Sequence, residues 1–315
     1  MKKLLVFLLA LLVSCAGPAS ETAEEATPEP MMLVATGEEM SDEMREARIK
    51  KAIKPFADRY LEHGGGDVAY YLNAVDWSEP VTFNVHEMCP ASVMKIYVLA
   101  RVTEGIADGS IERNDTHVMD WTNIAWGSGD LQDEAYGSSF TVGELVRAMM
   151  RESDNTATNM LLDVVGGLDE MNRSIERWGL KDTIYGSKFL GPSVPLGFAD
   201  NKTTVAEVGE FLTRIARGEF LGGAWDVSII EEMTHTENNS KIAARLPKGV
   251  KIAHKTGEIE DLEHDAAILT TDQDTYILVI FMDEGSNDDF IERIARFSEA
   301  AMKTILKIER ADAKQ

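Results

Sequence analysis

The sequence predicts an α+β fold: an antiparallel five-stranded sheet flanked by helices, with an all-helical lobe inserted between its second and third strands. Three observations predict it. Strand-like runs fall into two groups, residues 67–75 with 81–87 and residues 251–258 with 265–272 and 275–283, and the breaks inside each group have hairpin length. Amphipathic helical spacing marks the stretch before the first group and the stretch after the last. Between the groups, from about 108 to 245, the pattern reads as helices and loops throughout. Hairpin-joined strands argue for antiparallel pairing, and terminal helices argue that the sheet faces are covered.

Taken in order, MKKLLVFLLALLVS (residues 1–14) has a basic start and an apolar run too short to span a bilayer, which is the pattern of a secretory signal. The run ends in Leu12, Val13, Ser14 and Cys15, which resembles the lipobox of bacterial lipoproteins and makes Cys15 the expected lipidation site. A plain signal peptide cut near Ala19 or Ser20 is the alternative. Residues 15–40 are rich in Ala, Glu, Thr and Pro without an apolar period, so they read as a flexible acidic tether reaching roughly 25–30 Å. The expected location is therefore the bacterial cell envelope, on the exported side and anchored by lipid.

From residue 41 to 315 no linker or repeat divides the chain. The Glu- and Arg-rich segment 41–62 reads as a helix stopped by Gly64, Gly65 and Gly66. Capping boxes are expected at Thr141 to Glu144 and at Thr204 to Glu207. The closing helix, from about 288, spaces Phe290, Ile294, Phe297, Ala301 and Ile305 along one face. The formal charge of −23 argues against binding nucleic acid or an anionic membrane face. With Cys15 lipidated only Cys89 remains, so no disulfide framework is expected and Cys89 reads as a small buried hydrophobe.

The run CPASVMKIYVLARV, residues 89–102, reads as the start of a buried helix, yet it holds Ser92 and Lys95 three positions apart. That spacing brings a hydroxyl and an amine to one face. A serine needs an adjacent base to become a nucleophile, and a desolvated lysine can serve as one. Alone, the pair is better read as a helix cap and a lysine reaching for solvent. Two further tripeptides change that reading: Ser153-Asp154-Asn155 and Lys255-Thr256-Gly257. S-x-x-K, S-D-N and K-T-G, in this order, are the motifs of class A β-lactamases and penicillin-binding proteins.

Residues 41–315 therefore resemble the class A β-lactamase family, with SDNTATNMLL and HKTGE matching the surroundings of its motifs. The resemblance implies a serine hydrolase that opens β-lactam rings through an acyl-enzyme. Ser92 would be the nucleophile and Lys95 its base. Ser153 would pass a proton to the leaving nitrogen, and Asn155 would hold the substrate amide and orient Lys95. Lys255 and Thr256 would face the substrate carboxylate, and Gly257 completes that motif. The backbone N–H groups of Ser92 and Glu258 would form the oxyanion hole, and Asp154 would tie down its own loop. Lys241, in KIAARLP, stands roughly where some members place an arginine, and Trp126 is either a cleft-rim or a core residue.

The family activates its deacylating water with a glutamate about 35 residues after S-D-N. Here no Asp or Glu occurs from Thr183 to Ala199, and Phe189 stands near the expected position. Asp182 and Asp200 flank the gap and read as turn or cap residues. Acylation is thus expected to survive and deacylation to be slow. The alternatives are a D,D-peptidase-like peptidoglycan amide hydrolase and a non-hydrolytic β-lactam or peptidoglycan sensor. No cofactor or metal is expected, since His63, His86, His117, His235, His254 and His264 show no ligand spacing. The expected partners are a small β-lactam or a peptidoglycan peptide, and the chain is expected to act as a monomer.

Overall fold

The computed structural model describes residues 41–192 and 201–313. The leader, Cys15, the tether and Asp200 lie outside the described residues. Helix α1 (Asp42–Ala57) begins at Ser41, whose hydroxyl accepts from the Met44 N–H, and widens into a π-turn at Asp58–Glu62 before the glycines. Strands β1 (Asp67–Ala74) and β2 (Val81–Phe83) follow. The second is shorter than its apolar run because Asn84 turns left-handed (φ 51°) and its side chain bonds Asp67 and the Val68 carbonyl.

A 3-10 turn, Ala91–Met94, leads into α2 (Lys95–Asp108), which ends at Gly109 with φ 79°. The insertion then contains β3 (Thr116–Val118), β4 (Ser139–Thr141), α3 (Val142–Arg151), α4 (Asn155–Val164), α5 (Gly167–Arg177), α6 (Val205–Ala216) and α7 (Gly223–Met233). Strands β3 and β4 pair as a small second sheet where helices and loops were expected; three residues per strand are too few to show a periodicity. Strands β5 (Lys251–Ile259), β6 (Leu262–Thr270) and β7 (Thr275–Asp283) and helix α8 (Asn287–Asp312) close the chain. β6 starts three residues before its expected position, because the hairpin turns on Glu260 and Asp261 alone.

The five strands form one antiparallel sheet in the order β2-β1-β7-β6-β5. Both faces are covered. Ile277, Val279 and Phe281 of β7 join a core with α2 and the inserted helices, while Tyr276, Leu278, Ile280 and Met282 join a second core with α1 and α8. A central strand buried on both faces loses the alternation of a half-exposed one, hence the unbroken run TYILVIFMD. The buried Arg293 of α8 donates to the carbonyls of Tyr60, Leu61, Gly64 and Gly65, satisfying acceptors that the end of α1 and its π-turn leave open.

The two capping boxes differ. At Thr141 and Glu144 both reciprocal bonds form. At α6 the Thr204 hydroxyl accepts from the Glu207 N–H, but the Glu207 carboxylate instead accepts from the N–H groups of Lys181 and Asp182 and the Thr183 hydroxyl. Glu207 therefore anchors the segment that leads to the cleft. Glu207→Ala is expected to cost about 2 kcal/mol, because it strands two backbone donors; an unchanged urea midpoint would refute that anchoring.

Candidate active site

The turn that carries Ser92 is held from below. Tyr185 donates its hydroxyl to the Met94 carbonyl at 2.8 Å. His264 stacks on Phe281, donates Nε2–H to the Cys89 carbonyl and accepts the Met282 N–H at Nδ1. Burial lowers its pKa to about 4, so it stays neutral and serves as a strut. Cys89 itself is half-buried, on the connecting segment that leads into the 3-10 turn, rather than a core residue. Ser92 lies in the 3-10 turn and Lys95 opens α2, and in a 3-10 turn residues three apart eclipse each other. The Lys95 Nζ lies 3.0 Å from the Ser92 Oγ. Lys95 is fully buried, which removes the reading of a lysine reaching for solvent, and the N-cap positions of the 3-10 turn and of α2 are held by Pro90 and Met94, not Ser92.

The S-D-N turn meets this pair from the other side. Lys95 Nζ lies 2.6 Å from the Ser153 carbonyl, 3.0 Å from the Ser153 Oγ and 2.7 Å from the Asn155 Oδ1. Burial, and after it the charge of Lys255, pulls the Lys95 pKa well below the ordinary lysine value. Four oxygens thus surround the Lys95 Nζ, and the lowered proton affinity makes accessible the neutral amine, whose lone pair can take a hydroxyl proton. Asp154 caps α4 and accepts from the N–H groups of Ala157 and Leu131, so it ties its loop together as expected. Ala91 (φ 45°) and Ser153 (φ 59°) are both left-handed; Ala91 adjoins Ser92, and Ser153 itself touches Lys95. For residues bearing a Cβ this is costly backbone, and it is typical of positions where geometry serves a site.

Strand β5 forms the opposite wall. Lys255 Nζ donates to the Ser153 Oγ at 3.0 Å and the Thr256 carbonyl at 2.9 Å, so one hydroxyl lies between two lysines. Burial first, and then the charge of Lys241, lowers the Lys255 pKa to about 7. Gly257 is where β5 approaches the nucleophile turn: a Cβ there would stand 2.9 Å from the Pro90 carbonyl and 3.3 Å from the Ser92 nitrogen. Lys241 is fully buried, with Nζ 2.6 Å from a Glu263 oxygen, 3.3 Å from Glu258 and 3.1 Å from the Gly257 carbonyl. The cleft beside these residues, about 200 Å³, is lined by Ser153, Lys255, Thr256, Glu258 and Asn238 among others. Trp126 is 60% exposed and thus not a core residue, and its carbonyl accepts from the Asn155 Nδ2.

Phe189 occupies the floor, its ring 4.4 Å from the Lys95 Nζ. Its backbone is clamped by Asn159 of α4, which accepts the Phe189 N–H and donates to its carbonyl. Asn172 of α5 does the same for Tyr185. Asp182 is exposed and points its N–H, not a base, into this framework, through Glu207. Sequence reading passed over Asn159, Asn172 and Tyr185, whereas His264, which flanks the K-T-G hairpin, reads as structural and is so placed. A signal existed for Asn159, a polar residue four positions after Asn155 on a helix otherwise buried, since buried polar groups are hydrogen-bonded. Among the described residues no group of three or more His, Cys, Asp or Glu side chains is placed to hold a metal.

A five-stranded antiparallel sheet backed by helices, with a serine and two lysines converging where an inserted lobe meets the edge strand, defines the β-lactamase class of serine hydrolase fold. A model of the Beta-lactamase enzyme family matches residues 48–305, and the chain belongs to that family. The extended-spectrum beta-lactamase PER-1 of Pseudomonas aeruginosa is 24% identical over 185 residues, which cover 57% of this chain and 60% of that protein. The carbapenem-hydrolyzing beta-lactamase KPC of Klebsiella oxytoca is 24% identical over 257 residues, 75% of this chain and 82% of that protein. Among solved structures, PBP-A superposes with a TM-score of 0.74 at 24% identity, covering 82% of this chain and 96% of its own. A beta-lactamase from Sphaerobacter thermophilus gives 0.72 at 23%, with 82% and 97% covered. At such identities the structural likeness establishes the fold.

Gly257→Ala is expected to slow any reaction at Ser92 by about 100-fold, because backbone must move where an oxyanion would be held. Circular dichroism should remain native. Full retention of acylation would show that the close approach of β5 is not needed.

Proposed function

We propose that this protein is a serine hydrolase that opens β-lactam rings through an acyl-enzyme on Ser92, and that it releases the acyl group slowly. The observation that carries the proposal is the Lys95 amine: buried, 3.0 Å from the Ser92 Oγ, with its other neighbours arranged to use its N–H groups. In the proposed step Lys95 takes the Ser92 proton as Oγ attacks the ring carbonyl carbon, and the backbone N–H groups of Ser92 and Glu258 receive the developing oxyanion. The proton then reaches the departing nitrogen by way of the Ser153 hydroxyl, which lies 3.0 Å from Lys95 and from Lys255. Asn155 holds the substrate amide, and Lys255 with Thr256 receives its carboxylate.

The second half of the cycle needs a base for water. Where one would stand, a phenyl ring covers the lysine, and a phenyl ring accepts no proton. A missing general base typically costs on the order of 10² to 10⁴ in rate. The same feature favours a second reading, a D,D-peptidase-like enzyme or a sensor, in which the β-lactam adduct persists. A structure of PBP-A carrying a leucine-to-glutamate change is described as an acyl-enzyme complex with penicillin G, which supports penicillin as the first probe for this chain.

Incubating the protein with a chromogenic β-lactam, while following absorbance and intact mass together, tests the proposal beside a Ser92→Ala control. One adduct, absent from the control and clearing over many minutes, is the expected result. An adduct that never clears favours the peptidase or sensor, rapid turnover removes the slow step, and no adduct removes the acyl-enzyme altogether. The pH profile of acylation should be bell-shaped. Its acid limb appears as Lys95 takes up a proton and stops being a base, and its alkaline limb appears as Lys255 loses its charge above about 7. Phe189→Glu, which puts a carboxylate beside Lys95, should speed adduct clearance by about 100-fold while leaving acylation within a few-fold; equal clearance in the variant and the parent would mean that the ring is not what slows release.

A further inference from the structure

A carboxylate-binding cleft works by surplus positive charge, and this one has little. Lys241, the buried lysine behind β5, is met by two carboxylates: Glu263 at 2.6 Å and Glu258 at 3.3 Å. Glu263 is itself buried and its other oxygen accepts from Asn287, so it is fixed on the inner side. Glu258 is different. Its side chain is 48% exposed, it lines the cleft, and it is held there by the Asn238 Nδ2 at 2.7 Å. Across the same cleft the Arg151 guanidinium is taken by Glu237 at 2.6 Å. Lys255 is left as the cation that a bound anion would meet.

We infer that the Glu258 side chain is a specificity-determining residue: it stands as an internal competitor of the substrate's carboxylate, so the site accepts a neutral group beside the scissile amide more readily than an anionic one. The inference rests on the acyl-enzyme reading above and concerns which substrates reach it. Glu258 contributes its backbone N–H to the oxyanion hole whatever its side chain, so the carboxylate's role is separable from catalysis. A carboxylate a few ångströms from a bound anion, in a partly solvated cleft, should weaken that anion's binding by about five- to tenfold.

The probes are benzylpenicillin and its methyl ester, which share one reactive ring and differ by a single charge. Second-order acylation rates at Ser92 are measured for both, in the parent protein and in Glu258→Gln. The parent is expected to acylate with the ester at least as fast as with the acid. Glu258→Gln should raise the acid-to-ester ratio of acylation rates five- to tenfold, whatever it does to the absolute rates. A parent that strongly prefers the acid overturns the inference. So does a ratio that Glu258→Gln leaves unchanged, including the case where both rates fall together through structural damage. If neither compound labels Ser92 in the parent, the acyl-enzyme reading fails and this inference falls with it, and that result is distinct from an unchanged ratio.

Discussion

The burial of one amine organises the cleft. Lys95 emerges from the first turn of α2 into a space closed by the S-D-N turn on one side and the Phe189 ring on the other, with no solvent at its nitrogen. A lysine ammonium in such a place pays a large desolvation cost, and the neutral form becomes accessible. Its neighbours come from three separate parts of the chain, Ser92, the turn carrying Ser153 and Asn155, and the Phe189 loop, so the amine is satisfied only when all three are in place. The left-handed backbone at Ala91 and Ser153 fits that requirement: strain at two short turns is sustained by the helices and sheet that fix their ends.

The loop beneath the lysine is fastened as firmly as the catalytic turns. Asn159, Asn172 and Tyr185 each use a side chain to hold backbone or to be held by it, and Glu207 gathers the segment's start. Such fastening specifies where residue 189 must lie without specifying what it must be. The position is thus built for precise placement and filled with an apolar ring, and that combination supports a reading in which acyl transfer to Ser92 is preserved while water attack is not assisted.

Three buried lysines within one region would repel one another in a low-dielectric setting, and the structure meets this in two ways. Lys241 is neutralised by Glu263 and Glu258, while Lys95 and Lys255 share the Ser153 hydroxyl and have lowered proton affinities. The negative charge that balances Lys241 is placed partly inside, on Glu263, and partly at the cleft surface, on Glu258. This placement connects an internal electrostatic requirement to what the cleft presents to a ligand.

Much of this was legible beforehand because it is local. Strand and helix periods, the capping box at Thr141, and the spacing of Ser92 from Lys95 depend on neighbours a few residues apart, and the three motifs together identify the family. Local patterns misjudge what depends on distant partners. Glu207 matches a capping pattern, yet its carboxylate serves residues 181–183; Cys89 reads as a buried hydrophobe but is only half-buried on a connecting segment. Lys241 reads as a cation standing where relatives place an arginine and is in fact enclosed by two carboxylates, and only its exposure removes Trp126 from the core. The residue types and their order along the chain thus carry the fold and the chemistry available to it. Which charges remain uncompensated, and what lies against Lys95, emerge only when segments distant along the chain meet, because burial and pairing are properties of three-dimensional neighbours.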